Sequence, residues 1–396
     1  MTPTVTVEQE VLARALAIVS RAVPPRFAWP VLGHILIETQ ADHLLLTGTD
    51  LTMHLVVRLS AMAEANKCLA VPARLLLSLV KSLPKGKINL ELTDRELRLC
   101  SGRNEAKIRG QDANEFPRCS ILEQEQCAST LQLVISQPDA LGQAIQQVLF
   151  AASTNESRPI LTGILFRLEG DMLTLVAADG FRLSVSRVQL SETEQKECEV
   201  VIPAATMREL KRLLTERQTS VSLFVNAEVP QICWHLAGAL DEDMPAYNSI
   251  TSVDLVSSLL VGKYVNYQAL IPKSYVTRVV LDTHAFLHAC RICALFAKSD
   301  MSLVMLELMP DSGIVRLTAQ SAELGQNTVN IEAQVTGEPL SVGFNVQYLL
   351  DALNAVGTEQ VAMELINKVS PGVFRPVSLE KDKEFVHILM PMDVRE

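Results

Sequence analysis

Few side chains in this sequence have the types and spacings that metal binding or catalysis requires. His284 and His288 lie four residues apart in a helical pattern, a spacing that suits a metal ion, and Cys290 and Cys293 form a Cys-x-x-Cys pair beside them. No third ligand and no second cysteine pair accompanies either motif. We therefore interpret the histidines as a surface pair and the two thiols as packed side chains of one helix.

Sequence motifs of common enzyme classes are also missing. The chain contains no GxxxxGK[ST], no GxGxxG, no GxSxG and no HExxH. Asp50 and Asp179 invite interpretation as a carboxylate pair, but they occupy equivalent positions in two repeats, so turn formation explains them first. The sequence predicts a protein that is not an enzyme and that binds neither a cofactor nor a metal ion.

The composition indicates the cellular environment of the protein. The 396 residues carry a net charge of −10, and no segment approaches the ~18 consecutive apolar residues that a membrane span needs. The N-terminus lacks the basic and then apolar regions of a secretion signal. Eight scattered cysteines, mostly in apolar contexts, favour reduced thiols over disulfides. These features predict a cytoplasmic protein without a membrane partner.

A repeated unit organises the rest of the chain. Residues 159–183 have the alternating pattern of a β-hairpin, followed by a loop at 178–183 that is expected to leave the sheet edge. Much of this stretch recurs 129 residues upstream, and a helical segment at 69–83 recurs at 200–214 and at 341–353. Periods of this length are too long for a solenoid, so they predict three copies of one small domain.

Each copy is predicted to hold two helices and a surplus of strands. This ratio indicates an α+β fold in which the helices cover one face of antiparallel sheets. The first strand of the opening hairpin is expected at 31–38, and short extended linkers at 115–125 and 262–272. The predicted domains are residues 1–123, 124–263 and 264–396.

The helical segments differ in charge from the rest of the chain. Together they carry a net charge of +3, against −10 for the whole chain. Arg208, Lys211 and Arg212 lie opposite an apolar stripe, and Arg74 and Lys81 avoid the apolar face of their helix. Such a surface can contact the phosphates of a nucleic acid without recognising its bases. An alternative explanation of this net charge is a set of solvated helix charges on an ordinary acidic protein.

Nine short motifs are spread over the three copies. They are WPVL from Trp29, TGTDL from Thr47, EFP from Glu115, PILTG from Pro159, ADGFRL from Ala178, VIPA from Val201, GFN from Gly343, YLLDAL from Tyr348 and MPM from Met390. These motifs resemble those of the bacterial DNA polymerase III β sliding clamp family. The resemblance runs from about Val7 to Val394, and the MPM motif near the C-terminus is its most specific part when combined with GFN and YLLDAL.

The resemblance implies a head-to-tail homodimer whose six domains form a ring around double-stranded DNA, with the helices inside. Contacts with the phosphates would be loose and independent of sequence. The implied DNA-facing residues are Arg26, Arg74, Lys81, Arg208, Lys211 and Arg212. The implied dimer interface brings Leu295 and Phe296 against Ala106 and Ile108, where Ala106 is smaller than the aromatic residue frequent in the family.

The resemblance also implies an apolar cleft between the second and third copies. In the family it binds short peptides with Gln and Leu or Phe, carried by the DNA polymerase III catalytic subunit, the clamp loader and other clamp-binding proteins. The matching positions are Leu161, Ala178, Gly180, Phe181, Arg182, Leu183, Val265, Leu270, Val369, Pro371, Ile388, Met390, Pro391 and Met392.

Some positions depart from the family pattern. Phe181 stands where His is usual, Val265 where Pro is usual and Asp393 where a basic residue is usual, so peptide preference is expected to differ. Residues 237–254 form a longer acidic insertion, which is either partner-specific or a solvated loop. Three hypotheses follow: a replicative processivity clamp, a specialised paralogue that serves repair or drug resistance, and a three-domain ligand-binding protein on the same scaffold.

Overall fold

The order of secondary-structure elements repeats three times along the chain. The first two copies consist of a strand, a helix, four strands, a second helix and three strands, and the third copy has the same order with one extra short strand. This repetition confirms the threefold α+β fold expected from the sequence. The computed structural model describes residues 4–40, 42–61, 66–118, 130–190, 196–216, 221–226, 229–237, 249–297, 302–377 and 383–392. Asp393, most of the 237–254 insertion and part of the 115–125 linker lie outside these residues.

The first copy begins with a short strand and a helix whose apolar side is buried. Its elements are β1 (Thr4–Glu8), α1 (Gln9–Val19), β2 (His34–Thr39), β3 (His43–Thr49), β4 (Met53–Ser60), β5 (Lys67–Pro72), α2 (Ala73–Ser82), β6 (Lys87–Leu92), β7 (Glu96–Ser101) and β8 (Asn104–Arg109). The predicted strand at 31–38 starts only at His34, because Pro30–Gly33 forms a 3-10 turn, for which proline at the first position is well suited.

The second copy contains the hairpin that organised the sequence. Its elements are β9 (Thr130–Ile135), α3 (Pro138–Leu149), β10 (Gly163–Gly170), β11 (Met172–Ala178), β12 (Arg182–Gln189), β13 (Lys196–Pro203), α4 (Ala204–Glu216), β14 (Val221–Asn226), β15 (Gln231–Ala237) and β16 (Ile250–Ser258). The expectation that the chain leaves the sheet after residue 178 was wrong beyond the turn, since Arg182 starts β12, which pairs with β11.

The third copy follows the same order with one short extra strand, β21. Its elements are β17 (Thr277–Asp282), α5 (Thr283–Phe296), β18 (Leu303–Met309), β19 (Ile314–Ser321), β20 (Gly325–Glu332), β21 (Gln334–Thr336), β22 (Leu340–Asn345), α6 (Val346–Val356), β23 (Gln360–Leu365), β24 (Gly372–Pro376) and β25 (Lys383–Leu389). Asn345 caps α6 by accepting from the amides of Gln347 and Tyr348, and Gly357 ends it in the left-handed region.

Two large sheets join the copies. One has the order β5-β2-β3-β4-β16-β15-β14-β9, and the other β13-β10-β11-β12-β25-β24-β23-β17-β21. Two four-stranded sheets, β1-β6-β7-β8 and β20-β19-β18-β22, complete the described strands. All pairings are antiparallel.

The chain divides into two compact units, Met1–Pro138 with Arg212–Leu259, and Asp139–Lys211 with Leu260–Glu396. The second copy contributes to both, because β14, β15 and β16 extend a sheet of the first copy whereas β10 to β13 share a sheet with the third.

Candidate functional site: an apolar cleft, basic residues and two sheet edges

The floor of the candidate cleft lies where β12 pairs with β25. This pairing sets Leu183 opposite Ile388, and the neighbouring β11–β12 pairing sets Ala178 opposite Leu183. All three are buried in one apolar cluster, together with Leu161 and, at its margin, Val265. Five of the residues implied by the family resemblance therefore lie together.

The rim of the cleft consists of apolar side chains that remain exposed. Phe181, Leu270, Val369 and Met390 are the exposed members, and Pro371, Pro391 and Met392 are half-buried. The amide of Met390 donates to the carbonyl of Phe181 at 2.9 Å, which ties the rim across the two strands. Exposed apolar side chains concentrated beside a buried apolar cluster are typical of a site for an apolar partner.

The turn between β11 and β12 presents Phe181 on the rim. Asp179 Oδ1 accepts from the amides of Phe181 and Arg182 at 2.8 and 3.0 Å. Gly180 has φ +97°, a backbone conformation that side chains with a Cβ rarely adopt. The Asp-Gly sequence thus fixes where Phe181 points, in line with the turn chemistry read from the sequence.

Arg182 is held between two carboxylates and two aromatic rings. Its Nε is 2.9 Å from Asp179 Oδ2 and its Nη1 is 2.6 Å from Asp351 Oδ2. Its guanidinium carbon lies 4.1 Å from the ring centroid of Tyr348 and 5.3 Å from that of Phe150. Planar guanidinium groups favour such stacked and ion-paired sites. The side chain therefore supports the rim turn and is not free to bind a ligand charge.

Beneath the floor, on the side of the helices, the same strands carry polar groups. Ser184 and His387 pair across β12 and β25, with Ser184 Oγ 2.7 Å from His387 Nδ1. Ser186 donates to the side-chain oxygen of Gln147 on α3 at 2.7 Å. Burial, with a smaller contribution from the Arg182 cation, lowers the pKa of His387 to about 3. His387 is therefore neutral at physiological pH.

The linker before the third copy contributes to the cleft floor. The sequence suggested a short extended connection at 262–272, but Tyr267–Leu270 forms a 3-10 turn. Tyr264 and Tyr267 are buried in the same cluster as Leu183 and Ile388, and burial raises the pKa of Tyr264. Two of the five tyrosines of the chain lie three residues apart in this linker, a signal that was available in the sequence.

The implied DNA-facing residues lie on two helices and one loop. On α2, Arg74 and Lys81 are exposed while Leu76 and Val80 are buried. Arg74 also donates to the carbonyl of Pro25 at 3.0 Å, beside the exposed Arg26.

The α4 cations are not equivalent to one another. Arg208 is exposed and Lys211 is half-buried, whereas Met207 and Leu210 on the opposite stripe are buried. Arg212 Nε is 3.3 Å from Glu216 Oε1. The same carboxylate accepts from Arg21 at 2.8 Å, so part of the Arg212 charge is compensated.

The edge strands of the two four-stranded sheets include β8 and β20. Ala106 on β8 is half-buried and Ile108 is buried. On α5, Leu295 is exposed and Phe296 packs partly against the core of the third copy. Of the four implied interface residues, Leu295 leaves the largest apolar surface unburied.

Comparison with protein families identifies the arrangement. Models of the three domains of the DNA polymerase III β subunit match in chain order: the N-terminal domain over residues 4–120, the central domain over 136–265 and the C-terminal domain over 268–393. The chain belongs to the DNA polymerase III β sliding clamp family. The family resemblance and the fold class read from the sequence are confirmed.

Individual clamps match over the whole chain. The β sliding clamp of Synechococcus elongatus is 29% identical over 391 residues, covering 98% of each chain, and that of Staphylococcus aureus is 25% identical over 382 residues, covering 94% of each. The crystal structure of the sliding clamp of Bacillus subtilis has a TM-score of 0.88 at 25% identity, with full coverage of both chains. The clamp of Pseudomonas aeruginosa bound to griselimycin has a TM-score of 0.86 at 28% identity, also with full coverage.

Other features of the described residues do not compete with this assignment. An open depression of about 450 Å³ at β2 and β5 is lined mainly by polar side chains, among them Glu38 and Lys67. Among the described residues, no helix is long and apolar enough to cross a membrane. Cys290 and Cys293 are buried thiols of α5, and burial raises the pKa of Cys293 to about 11.

Proposed function

We propose that the protein is a processivity factor of DNA replication that acts without catalysing a reaction. Two copies close head to tail into a six-domain ring around duplex DNA, and the cleft tethers DNA polymerase III. The domains are those read from the sequence, 1–123, 124–263 and 264–396. The observation that carries this proposal is the way in which successive copies are joined.

Both internal junctions use equivalent strands in the same register. At the first junction β4 pairs with β16, and Met53 lies opposite Ser257. At the second junction β12 pairs with β25, and Arg182 lies opposite Leu389. The neighbouring strand pairings in each sheet show that Met53 and Arg182 occupy equivalent positions. Ser257 and Leu389 are equivalent in the same way. A junction of this kind is therefore a reproducible interface between copies.

One strand of each type remains at an edge of the described sheets. β20 is the equivalent of β4 and β12, and β8 is the equivalent of β16 and β25. A second copy of the chain supplies the complementary edge to each, which pairs β8 and β20 and closes the assembly. The same register places Gly325 opposite Ile108 of the partner subunit and Thr328 opposite Glu105 of the partner subunit.

Inside the ring, cationic side chains contact the phosphates of DNA. Arg26, Arg74 and Lys81 supply one group of charges, and Arg208, Lys211 and Arg212 supply another. Exposed, flexible cations make exchangeable contacts that do not depend on sequence, so the DNA slides while the closed ring prevents release. A protein with this function works in the cytoplasm, where the chromosome is.

The cleft binds short segments of client proteins. Its buried floor and exposed apolar rim suit a peptide with one glutamine and one Leu or Phe side chain, carried by the polymerase, the clamp loader or other clients. Met390 and Met392 bring flexible thioether side chains that repack around different partners. Phe181 puts a larger and apolar ring where the family usually has His, which favours clients with a larger apolar anchor.

Disulfide cross-linking tests ring closure and its register together. Glu105→Cys combined with Thr328→Cys is expected to give a covalent dimer on oxidation, because opposite residues of antiparallel strands meet the ~4.4–6.8 Å Cα spacing of a disulfide. Glu105→Cys combined with Val329→Cys is the matched control, shifted by one residue and facing the other side of the sheet. Equal cross-linking in both variants, or only monomers in solution, would contradict the proposal.

A further inference from the structure

Two exposed aromatic side chains follow Arg26 on one loop of the first copy. Phe27 is 46% exposed and Trp29 is 59% exposed, and residues 25–30 are all exposed. Large aromatic rings seldom stay in water without a function, since each offers a large apolar area for burial. This loop, residues 25–30, is called the aromatic loop below.

The aromatic loop is held in a fixed conformation. Pro25 and Pro30 restrict its backbone, and the guanidinium of Arg74 donates to the Pro25 carbonyl at 3.0 Å. The Phe27 ring lies against Gly33, where an added Cβ would come within 2.5 Å of the ring carbon Cζ. The imidazole of His34 lies 2.9 Å from the Pro30 carbonyl. The rings are therefore presented with little conformational entropy left to lose on binding.

The surroundings of the aromatic loop are basic although the protein is acidic. No aspartate or glutamate occurs between Glu10 and Glu38, an interval that holds Arg14, Arg21 and Arg26. None occurs between Glu64 and Glu91 either, an interval that holds five cations, including Arg74 and Lys81 of α2. Arg21 is paired with Glu216 at 2.8 Å, but Arg26, Arg74 and Lys81 are exposed. This charge pattern is complementary to a polyanion.

The aromatic rings of the first copy have no counterpart in the second. The repeat offset of 129 residues places Glu156 and Arg158 of the second copy at the positions of Phe27 and Trp29. The fold alone therefore does not require aromatic residues here, because the same 3-10 turn, Pro159–Thr162, follows the loop in the second copy.

We propose that the aromatic loop stacks on unpaired bases of single-stranded DNA, the strand that continues beyond the primer end of the encircled duplex. The inference rests on the proposed function and adds a second nucleic-acid contact to it. In duplex DNA the base faces are covered by their neighbours, whereas a single strand exposes them. Aromatic rings beside cations are the usual means of binding such strands without sequence preference. The loop thereby distinguishes a primed junction from plain duplex.

Intrinsic fluorescence tests the proposal in the full-length protein. The chain has two tryptophans, and Trp234 is 0% exposed, so quenching by an added ligand reports on Trp29. Oligo(dT) and a duplex with a single-stranded extension are expected to quench the emission, and a blunt duplex of equal length is not. Trp29→Phe should abolish the signal but retain binding measured by anisotropy of labelled oligo(dT).

Two further variants measure the contribution of each ring. Phe27→Ala and Trp29→Ala are each expected to weaken oligo(dT) binding roughly tenfold, the effect of removing one stacking partner. Leu75→Ala removes an exposed apolar side chain from α2 on the same basic surface and serves as the control with unchanged affinity. Circular dichroism confirms that all three variants are folded.

Several outcomes would overturn the inference. They are no quenching by oligo(dT), equal quenching by blunt duplex, or quenching only by a client peptide, which would make the aromatic loop a protein-docking site. Retention on nicked circular DNA separates these failures from failure of the clamp function. Trp29→Ala should be retained like the unaltered protein, and loss of the unaltered protein from the circle would refute encirclement whatever the fluorescence shows.

Discussion

The two internal junctions have the same strand pairing and register, but a different face of the sheet is apolar in each. At the second junction the outward pairs are Leu183 with Ile388 and Val185 with Val386. The equivalent pairs at the first junction are His54 with Val256 and Val56 with Asp254, so each contains a polar residue. The register is the same, but only the second junction offers a continuous apolar floor.

The opposite face shows the reverse pattern. Towards the helices, the first junction pairs Leu55 with Leu255, whereas the second pairs Ser184 with His387. The rim also differs, because Thr52 and Ser258 occupy the positions of Phe181 and Met390. The fold therefore provides two sites for a cleft, and a few side chains decide which of them binds an apolar ligand.

Removal of the Arg182 side chain should have the largest effect. Met53 occupies the equivalent position at the first junction, so Arg182→Met gives the second junction the residue that the first has there. The change leaves Asp179 without its partner in a largely buried position and should lower the free energy of unfolding by about 3 kcal/mol. Denaturant unfolding measures it; Arg187→Met, at a partly exposed ion pair, is the control with a smaller effect. Equal effects of the two changes would contradict the role of the Arg182 cluster.

Exchange of the rim should come next. Phe181→Thr with Met390→Ser gives the second junction the rim of the first. Because burial of each large apolar side chain contributes about 1.5–3 kcal/mol, affinity for a client peptide should fall on the order of 100-fold without unfolding, since both side chains are exposed. Anisotropy of a labelled peptide measures this.

The reverse exchange sharpens the comparison. Thr52→Phe with Ser258→Met should not create a binding site, because His54 and Asp254 remain in its floor. Peptide binding to this variant would refute the assignment of the cleft. Unchanged peptide affinity of the Phe181→Thr/Met390→Ser variant would refute it too.

The pH dependence of stability should distinguish the helix-facing sides of the two junctions. Because the pKa of His387 is lowered to about 3 in the folded protein, the unfolded chain binds a proton that the folded chain does not between about pH 6.5 and 3. Stability is therefore lost as the pH falls through this window, by about 1.4 kcal/mol per pH unit. His387→Leu, the residue found at the first junction, should flatten the slope of unfolding free energy between pH 7 and 5. Identical slopes in the variant and the unaltered protein would be the contrary result.

Backbone strain at the two turns should give the smallest effect. Leu51 has φ +76° where the second junction has Gly180 at φ +97°. Leu51→Gly should stabilise the protein by up to about 1 kcal/mol, and Gly180→Ala should destabilise it by a similar amount, because only glycine adopts this region at little cost. Gly180→Ala introduces no steric clash, since the nearest atom to an added Cβ is Arg158 Nη1 at 3.8 Å. Shifts of the same sign in both variants would contradict the account of these turns.

The sequence predicted the repeated elements well because their signals are local. The helical segment predicted at 341–353 overlaps α6 (Val346–Val356), where Asn345 and Gly357 are strong caps, and the hairpin of β10 and β11 follows its predicted alternation. The cleft residues came from motif resemblance rather than from periodicity. The polar cluster around Arg182 and the burial of Tyr264 and Tyr267 were not foreseen, because they depend on contacts far apart in sequence, such as Arg182 with Asp351.

Cross-linking on DNA tests the central claim, encirclement, most directly. The Glu105→Cys/Thr328→Cys protein is loaded onto a nicked circle, oxidised and then denatured. A closed ring should stay linked to the circular DNA under denaturing conditions and be released when the circle is cut once. Loss of the protein from the intact circle on denaturation, or its retention after linearisation, would contradict the account.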